Sequence, residues 1–310
     1  MKKISLIIPV YNESANLKWH AKKIDDFFST IKCAKEIIYI DDGSRDDSWD
    51  VLKNMSESDP DVVCIRFSRN FGKEAATTAG LGACSGDAAI MIDADGQHPI
   101  EVVKDFIEKW QMGAQVVVGV RSSNKKEGAV KKYGSVLFSK LSRMISRQDT
   151  KPGATDFRLL DRKVIDAFNS LTERNRITRG LIDWLGFQRE YVYFAANERH
   201  AGQAAYGFRK LLKLAVHAFV SQSTKPLQVT GLLGSIVMAL SGSLGLFIVV
   251  QDFLLGDPLE LNITGTAALA VFLTFMLGLV LICQWLLALY IESIHNETQN
   301  RPLYVIDEKL

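Results

Sequence analysis

The segment Ala88-Ala89-Ile90-Met91-Ile92-Asp93-Ala94-Asp95-Gly96-Gln97 changes character at one point. Ala88–Asp93 is an apolar run ending in a carboxylate, the length of a buried strand, and Asp95-Gly96 is a turn dipeptide. The same change recurs along the first part of the chain. Ile4–Val10 runs into Tyr11-Asn12-Glu13, Glu36–Asp41 into Asp42-Gly43-Ser44, Val62–Phe67 into Arg69-Asn70-Phe71-Gly72-Lys73, and Gln115–Val120 into Arg121. Between these runs the residues around Asn16–Phe28, Asp47–Met55 and Ile100–Met112 follow helical periodicity. Strands alternating with helices predict an α/β fold, a parallel sheet covered on both faces.

In such a sheet ligands bind beyond the carboxyl ends of the strands. Each polar strand end has a plainer reading: Asp42-Gly43-Ser44 as a turn with Ser44 as a helix N-cap, Asp95-Gly96 as a simple turn. Four consecutive ends presenting carboxylates, amides or cations at one edge favour a ligand site. Asp93, Asp95 and the amide oxygen of Gln97 offer hard oxygen donors to Mg²⁺ or Mn²⁺, with positions left for phosphate oxygens. His98 reads as a solvated turn histidine rather than a ligand. Lys73 and Arg121 can face the same phosphates. The glycines Gly80, Gly82 and Gly86 are spaced GxGxxxG at a helix end, which argues against a dinucleotide fingerprint.

The 310 residues include 37 Lys and Arg against 35 Asp and Glu, are 47% hydrophobic and hold only 7 prolines. Disordered, collagenous and low-complexity classes are excluded. The formal net charge of +2 is an average over unlike parts. Residues 1–120 carry 14 basic and 19 acidic side chains, 121–228 carry 21 and 9, and 229–310 carry 2 and 7. The four cysteines show no CxxC spacing, so a disulfide framework or zinc site is not expected.

Residues 229–250 and 265–291 contain no charged side chain. Each run can cross a hydrocarbon core of about 30 Å as a helix rising ~1.5 Å per residue. The loop between them carries Asp252, Asp257 and Glu260 without Lys or Arg, while Arg209, Lys210, Lys213 and Lys225 precede the first run. The positive-inside rule then places both termini at the cytoplasmic face. Interleaved basic and apolar residues over 131–147 and 208–222 read as amphipathic helices on the membrane surface, attracted by anionic lipid. A basic patch without aromatic stacking platforms argues against nucleic acid. The expected organisation is a catalytic domain over 1–228, two spans over 229–291 and a cytoplasmic tail over 292–310.

Taken in order, Pro9-Val10-Tyr11-Asn12-Glu13, Asp41-Asp42-Gly43-Ser44, Asp93-Ala94-Asp95 with Gln97 and Pro99, and the two C-terminal apolar runs resemble the polyprenyl-phosphate glycosyltransferases of the GT-A family 2 class. That class includes dolichol-phosphate mannose synthase and the bactoprenol glucosyltransferases. Arg69-Asn70-Phe71-Gly72-Lys73-Glu74-Ala75, Ala79-Gly80-Leu81, Asp156-Phe157-Arg158-Leu159 and Arg301-Pro302 are similar to the bactoprenol branch.

The resemblance implies that Pro9, Tyr11, Glu13 and Asp42 hold the uracil and ribose of a UDP-sugar. Asp93, Asp95 and Gln97 would hold the metal on its pyrophosphate, Arg121 would meet the phosphates or the acceptor, and Arg199 a donor or acceptor phosphate. Where relatives often read Gly-x-Ser-Lys-aromatic, this chain reads Gly202-Gln203-Ala204-Ala205-Tyr206 and lacks that hydroxyl and ammonium. Asp156 lies near the reacting centre by the same resemblance. It is open to three roles: orienting the acceptor, coordinating a donor hydroxyl, or acting as a base. The alternative is a structural carboxylate paired with Arg158 or Arg162.

The expected activity is inverting transfer of a hexose, glucose from UDP-glucose, to undecaprenyl phosphate at the cytoplasmic face of a bacterial inner membrane, by a homo-oligomer. A processive polysaccharide synthase and a non-catalytic nucleotide-sugar-binding scaffold are the alternatives, the first disfavoured by the missing Gln-x-x-Arg-Trp motif.

Overall fold

Successive residues of β1 (Lys3–Val10) enter different cores: Ile4, Leu6, Ile8 and Val10 on one side of the sheet, Ile7 on the other. Two-sided burial is what an unbroken apolar strand demands. The computed structural model describes residues 2–31, 33–122, 151, 153–174, 176–197, 243, 250 and 265–310. The chain divides into two units, one of residues 1–143, 147–205 and 300–310, the other of 144–146 and 206–299.

In the first unit β1 is followed by α1 (Ser14–Phe28), β2 (Ala34–Asp41), α2 (Ser48–Ser58), β3 (Val62–Phe67), α3 (Lys73–Ala83), β4 (Ala88–Met91), α4 (Val102–Gln111) and β5 (Val116–Arg121). Then come β6 (Ala154–Asp161), α5 (Arg162–Asn169), α6 (Thr178–Trp184) and β7 (Arg189–Phe194). The first five strands stand within two residues of their sequence-based limits. β4 ends earlier than expected, at Met91, which leaves Asp93 and Asp95 beyond the strand.

The sheet has eight strands in the order β7-β5-β6-β4-β1-β2-β3-β8, where β8 is Ile306–Lys309. It is mixed, which corrects the expectation of a parallel sheet. β1, β2, β3 and β4 pair in parallel, as do β5 and β7, but β6 enters antiparallel between β4 and β5, and β8 pairs antiparallel with β3. α1, α2 and α4 cover one face, while α3, α5 and α6 cover the other. Gly80 lies inside α3, where a Cβ would collide with the side chains of Ile7 and Ile40. Its use is close helix-to-sheet packing, in keeping with the rejected dinucleotide motif.

Part of the expected tail is thus a sheet edge. Ser68 N donates to Val305 O at 3.0 Å, Trp49 Nε1 donates to Glu308 Oε2 at 3.1 Å, and the Tyr304 ring stacks on Phe67 with centroids 4.9 Å apart.

The second unit contributes α7 (Gly265–Thr298), 34 residues long and uncharged from Gly265 to Ile291. Its backbone is described throughout and its side chains in part. Among the residues of α7 whose side chains are described, no stretch is long and apolar enough to cross a membrane. The two spans read from the sequence are therefore not shown by the structure. The first span apart from two isolated positions, both expected surface helices, Arg199 and Gly202–Tyr206 lie outside the described residues.

Candidate active site

The carboxyl ends of β1, β2, β3 and β4 meet at one edge, and hydrogen bonds lace their loops together. Asn12 N donates to Ser44 Oγ at 2.9 Å, Arg45 N to Asn12 Oδ1 at 2.8 Å, and Glu13 N to Ser48 Oγ at 2.9 Å. Ser44 is therefore a cross-loop acceptor and not the N-cap of the plainer reading. α2 begins at Ser48, after Asp47. Gly43 holds φ +67°, and a Cβ there would stand 2.5 Å from the backbone carbon of Arg69, so the second and third loops touch only because this residue is glycine.

Asp42 is buried and spends its carboxylate on the Arg69–Lys73 loop. Phe71 N donates to Oδ1 at 2.6 Å and Gly72 N to Oδ2 at 2.9 Å. Burial pushes the Asp42 carboxyl above its ordinary pKa, against the pull of these two amides. The loop delivers Lys73 to the first turn of α3.

Lys73 Nζ lies 2.5 Å from Asp93 Oδ1 and 3.6 Å from Asp156 Oδ2. Burial alone would lower the ammonium's pKa, but the charges of Asp93 and Asp156 outweigh it and hold it above the ordinary lysine value. Asp156 is present here because β6 is antiparallel: Met91 pairs with Arg158, and the same register carried two residues on sets Asp156 against Asp93. The alternative pairings of Asp156 with Arg158 or Arg162 do not occur. Arg158 Nη1 instead meets Asp183 Oδ1 at 2.8 Å, and Arg162 Nε donates to Gly86 O at 2.9 Å. Asp156 Oδ1 faces Arg179 Nε at 3.5 Å.

Asp95 is buried and accepts from Gln97 N at 3.1 Å through Oδ1, and Gln97 O accepts from Asn197 N at 3.1 Å. Gly96 between them has φ +73°, and a Cβ there would press into the Trp19 ring. His98 is not a solvated turn residue. Its ring stacks on Phe157 with centroids 4.8 Å apart, lies edge-on to Phe194, and accepts from Asp93 N through Nδ1 at 3.3 Å. Burial lowers its pKa, so the neutral imidazole serves as a backbone acceptor. His20 on α1 is buried nearby, and desolvation brings it down to about 4 although Asp95 pulls the other way.

A cavity of about 20 Å³ lies below these groups, lined among others by Pro9, Lys73, Asp93, Asp156, Arg158 and Arg179. Of the residues expected at the site, the structure brings Pro9, Lys73, Asp93 and Asp156 around this cavity, with Asp95 and Gln97 in the adjoining turn. Tyr11 is 42% exposed at the same edge. The Glu13 carbonyl accepts the first amides of α1, from Asn16 at 2.8 Å and Leu17 at 3.2 Å. Arg121 ends β5 with an exposed side chain and does not line the cavity.

Arg179 is the site residue that sequence reasoning missed. Nothing local separates it from Arg174, which bonds Asn300, or Arg176, which bonds the carbonyls of Glu173 and Leu171.

Among the described residues no group of three or more His, Cys, Asp or Glu could hold a metal ion. A divalent ion at Asp93 and Asp95 would rest on two carboxylates and draw its remaining oxygens from Gln97 and from a ligand. Hard oxygen donors of this kind fit Mg²⁺ or Mn²⁺.

Residues 5–168 match the family model for glycosyl transferase family 2. The chain is 38% identical over 304 residues to the SfII prophage-derived bactoprenol glucosyl transferase of Shigella flexneri, covering 98% of this chain and 97% of that one. It is 35% identical to the prophage bactoprenol glucosyl transferase homolog of Escherichia coli K12, covering 98% of each. In fold it is similar to glucosyl-3-phosphoglycerate synthase of Mycobacterium tuberculosis, a structure with Mn²⁺, uridine diphosphate and phosphoglyceric acid, at 19% identity and TM-score 0.51 over 71% of this chain and 76% of that one. Mannosyl-3-phosphoglycerate synthase of Rubrobacter xylanophilus gives 17% identity and TM-score 0.50 over 74% and 75%. The mixed sheet with its carboxylates beyond β4 is thus a GT-A fold, and the chain is a glycosyltransferase that belongs to glycosyl transferase family 2.

Proposed function

We propose that the protein transfers a hexose, glucose from UDP-glucose, to a polyprenyl phosphate such as undecaprenyl phosphate at the cytoplasmic face of the membrane. One observation carries the reading: Asp93, Lys73 and Asp156 converge at the carboxyl edge of a chain similar over 98% of its length to bactoprenol glucosyl transferases. The 27 uncharged residues of α7 and the 22 over 229–250 support two membrane spans, which would keep the site near a lipid acceptor. Pro9, Tyr11, Glu13 and Asp42 form the edge that would meet the nucleoside. Asp42 does so by holding the Phe71-Gly72 backbone in place.

Asp93, Asp95 and Gln97 would hold a divalent ion, which when bound supplies positive charge to a pyrophosphate. The chain's own residues do the rest. Lys73 sets an ammonium beside Asp93, where negative charge builds as UDP departs. A lipid monophosphate is already anionic near neutral pH, so its oxygen needs no strong base. Its electron pair forms a bond to the anomeric carbon while the carbon–oxygen bond to UDP breaks, the bonding pair leaves with UDP, and the configuration inverts. No proton moves.

The test is formation of a lipid-linked sugar by membranes bearing the protein, with a donor screen and with Mg²⁺ or Mn²⁺ supplied or chelated. A metal-dependent polyprenyl-phosphate glucose of inverted configuration is expected. A polymeric product would show a processive synthase instead, and UDP-sugar binding without any product would show a scaffold.

A further inference from the structure

Asp93, Lys73, Asp156 and Arg179 form a chain of alternating charge. Lys73 Nζ stands 2.5 Å from Asp93 and 3.6 Å from Asp156 Oδ2, while Arg179 Nε stands 3.5 Å from Asp156 Oδ1. Each oxygen of Asp156 is turned toward a different cation, an arrangement that aligns the two cations. Arg179, in turn, is loosely held. Its two contacts among the described residues, to Asp156 and to Ala154 O, are both 3.5 Å, too long to use up five N–H donors, and its side chain is 45% exposed.

A second observation lies in the same cavity. Arg158 and Thr178 line it, both buried, and Arg158 Nη2 and Thr178 Oγ1 have no hydrogen-bond partner among the described residues. A cavity of about 20 Å³ admits a single water molecule. The cavity is lined by polar groups, and the half-exposed guanidinium of Arg179 at its lining is suited to a phosphate.

We infer that Arg179 receives the acceptor's phosphate, with Asp156 as the positioning residue that holds Arg179 on one side and Lys73 on the other. The inference rests on the activity proposed above. The Asp93 end of the chain adjoins Asp95 and Gln97 and belongs to the donor's pyrophosphate. Arg179 stands at the opposite end, beyond Lys73 and Asp156, so an anion bound there is set apart from the donor's pyrophosphate by that pair.

The experiment uses the full chain in detergent or nanodiscs, with UDP-glucose and undecaprenyl phosphate varied separately. Arg179→Gln should raise KM for the lipid phosphate about tenfold or more, the loss expected of a charge-assisted hydrogen bond, and leave KM for the donor within about twofold. Arg179→Lys should fall between. Asp156→Asn should raise the lipid KM as Arg179→Gln does and leave the shape of the pH profile as in wild type. A rise confined to the donor KM, or no change in either, overturns the assignment of Arg179. Loss of turnover in Asp156→Asn with Arg179→Gln unaffected would make Asp156 a base.

Should the wild-type protein form no lipid-linked sugar from any donor, the proposed activity fails, and the inference is decided by binding. Phosphatidylcholine vesicles with and without undecaprenyl phosphate are compared in co-sedimentation, and UDP binding is followed by calorimetry. Weakened phosphate-dependent binding in Arg179→Gln with unchanged UDP affinity supports it. Equal binding by both proteins overturns it.

Discussion

The ammonium of Lys73, at the start of α3, stands 2.5 Å from the carboxylate of Asp93, beyond the end of β4. Two loops distant in the chain meet through this pair at the edge where the donor is proposed to bind. Replacing Lys73 with Met should leave the fold intact, because the side chain is half exposed, and should lower kcat about 100-fold through lost charge stabilisation of the leaving group. Lys73→Arg should recover part of it. Steady-state kinetics with a thermal melt as control decides the matter, and a kcat within about twofold of wild type would remove Lys73 from the reaction.

Asp42 is the latch of the loop that carries Lys73. Asp42→Ala leaves the amides of Phe71 and Gly72 without their acceptor, at a cost of about 1–3 kcal/mol. The expected outcome is a raised donor KM together with faster amide exchange at residues 70–73. Unchanged exchange there would show that the loop holds itself.

The aromatic chain Tyr304–Phe67–Phe71 ties β8 to the same loop, Phe67 lying edge-on to Phe71 with centroids 5.7 Å apart. Tyr304→Ala should destabilise the protein by about 1–2 kcal/mol, from the lost ring pair and its buried area. Limited proteolysis should then cut within residues 300–310 sooner than in wild type. Equal resistance would mean that the backbone pairing of β8 suffices.

Asp183 is 2% exposed at its side chain and takes Arg158 at 2.8 Å and Arg189 at 3.3 Å. Asp183→Asn strands a buried guanidinium and should cost about 3–5 kcal/mol. Denaturant unfolding of the variant measures this directly. A loss below about 1 kcal/mol would mean that water reaches Arg158.

Glu36 contributes to the pH dependence of stability. Burial would raise its carboxyl, but hydrogen bonds from Ser5 and Ser85, with Lys3 beside it, bring it down to about 2 from an ordinary value of 4.5. A depressed carboxyl stabilises the fold above the unfolded pKa and loses that contribution as pH falls through the folded one. The window is therefore about pH 4.5 down to 2, and the contribution is on the order of 2–3 kcal/mol. Glu36→Gln should be less stable at neutral pH and flatter across that window. Parallel pH slopes for the two proteins would place the dependence elsewhere.

The sequence by itself determined the first five strands, the helices between them and the candidate residues at their ends. Those are local properties: an apolar run of strand length, a helical period, a turn residue where the run stops. Asp93, Asp95 and Gln97 were legible for the same reason, since their spacing lies within one turn. What only the tertiary structure decided is which distant groups meet. β6 enters antiparallel between β4 and β5, and that register alone sets Asp156 opposite Asp93 and within reach of Lys73. Arg179 became a site residue when α6 packed beside α3, and His98 became a buried acceptor when Phe157 and Phe194 closed over it. Residues 306–309 became a strand because β3 left an open edge. Strand direction and long-range pairing follow from how the whole sheet satisfies its backbone hydrogen bonds and buries both faces, and no short window of sequence carries that information.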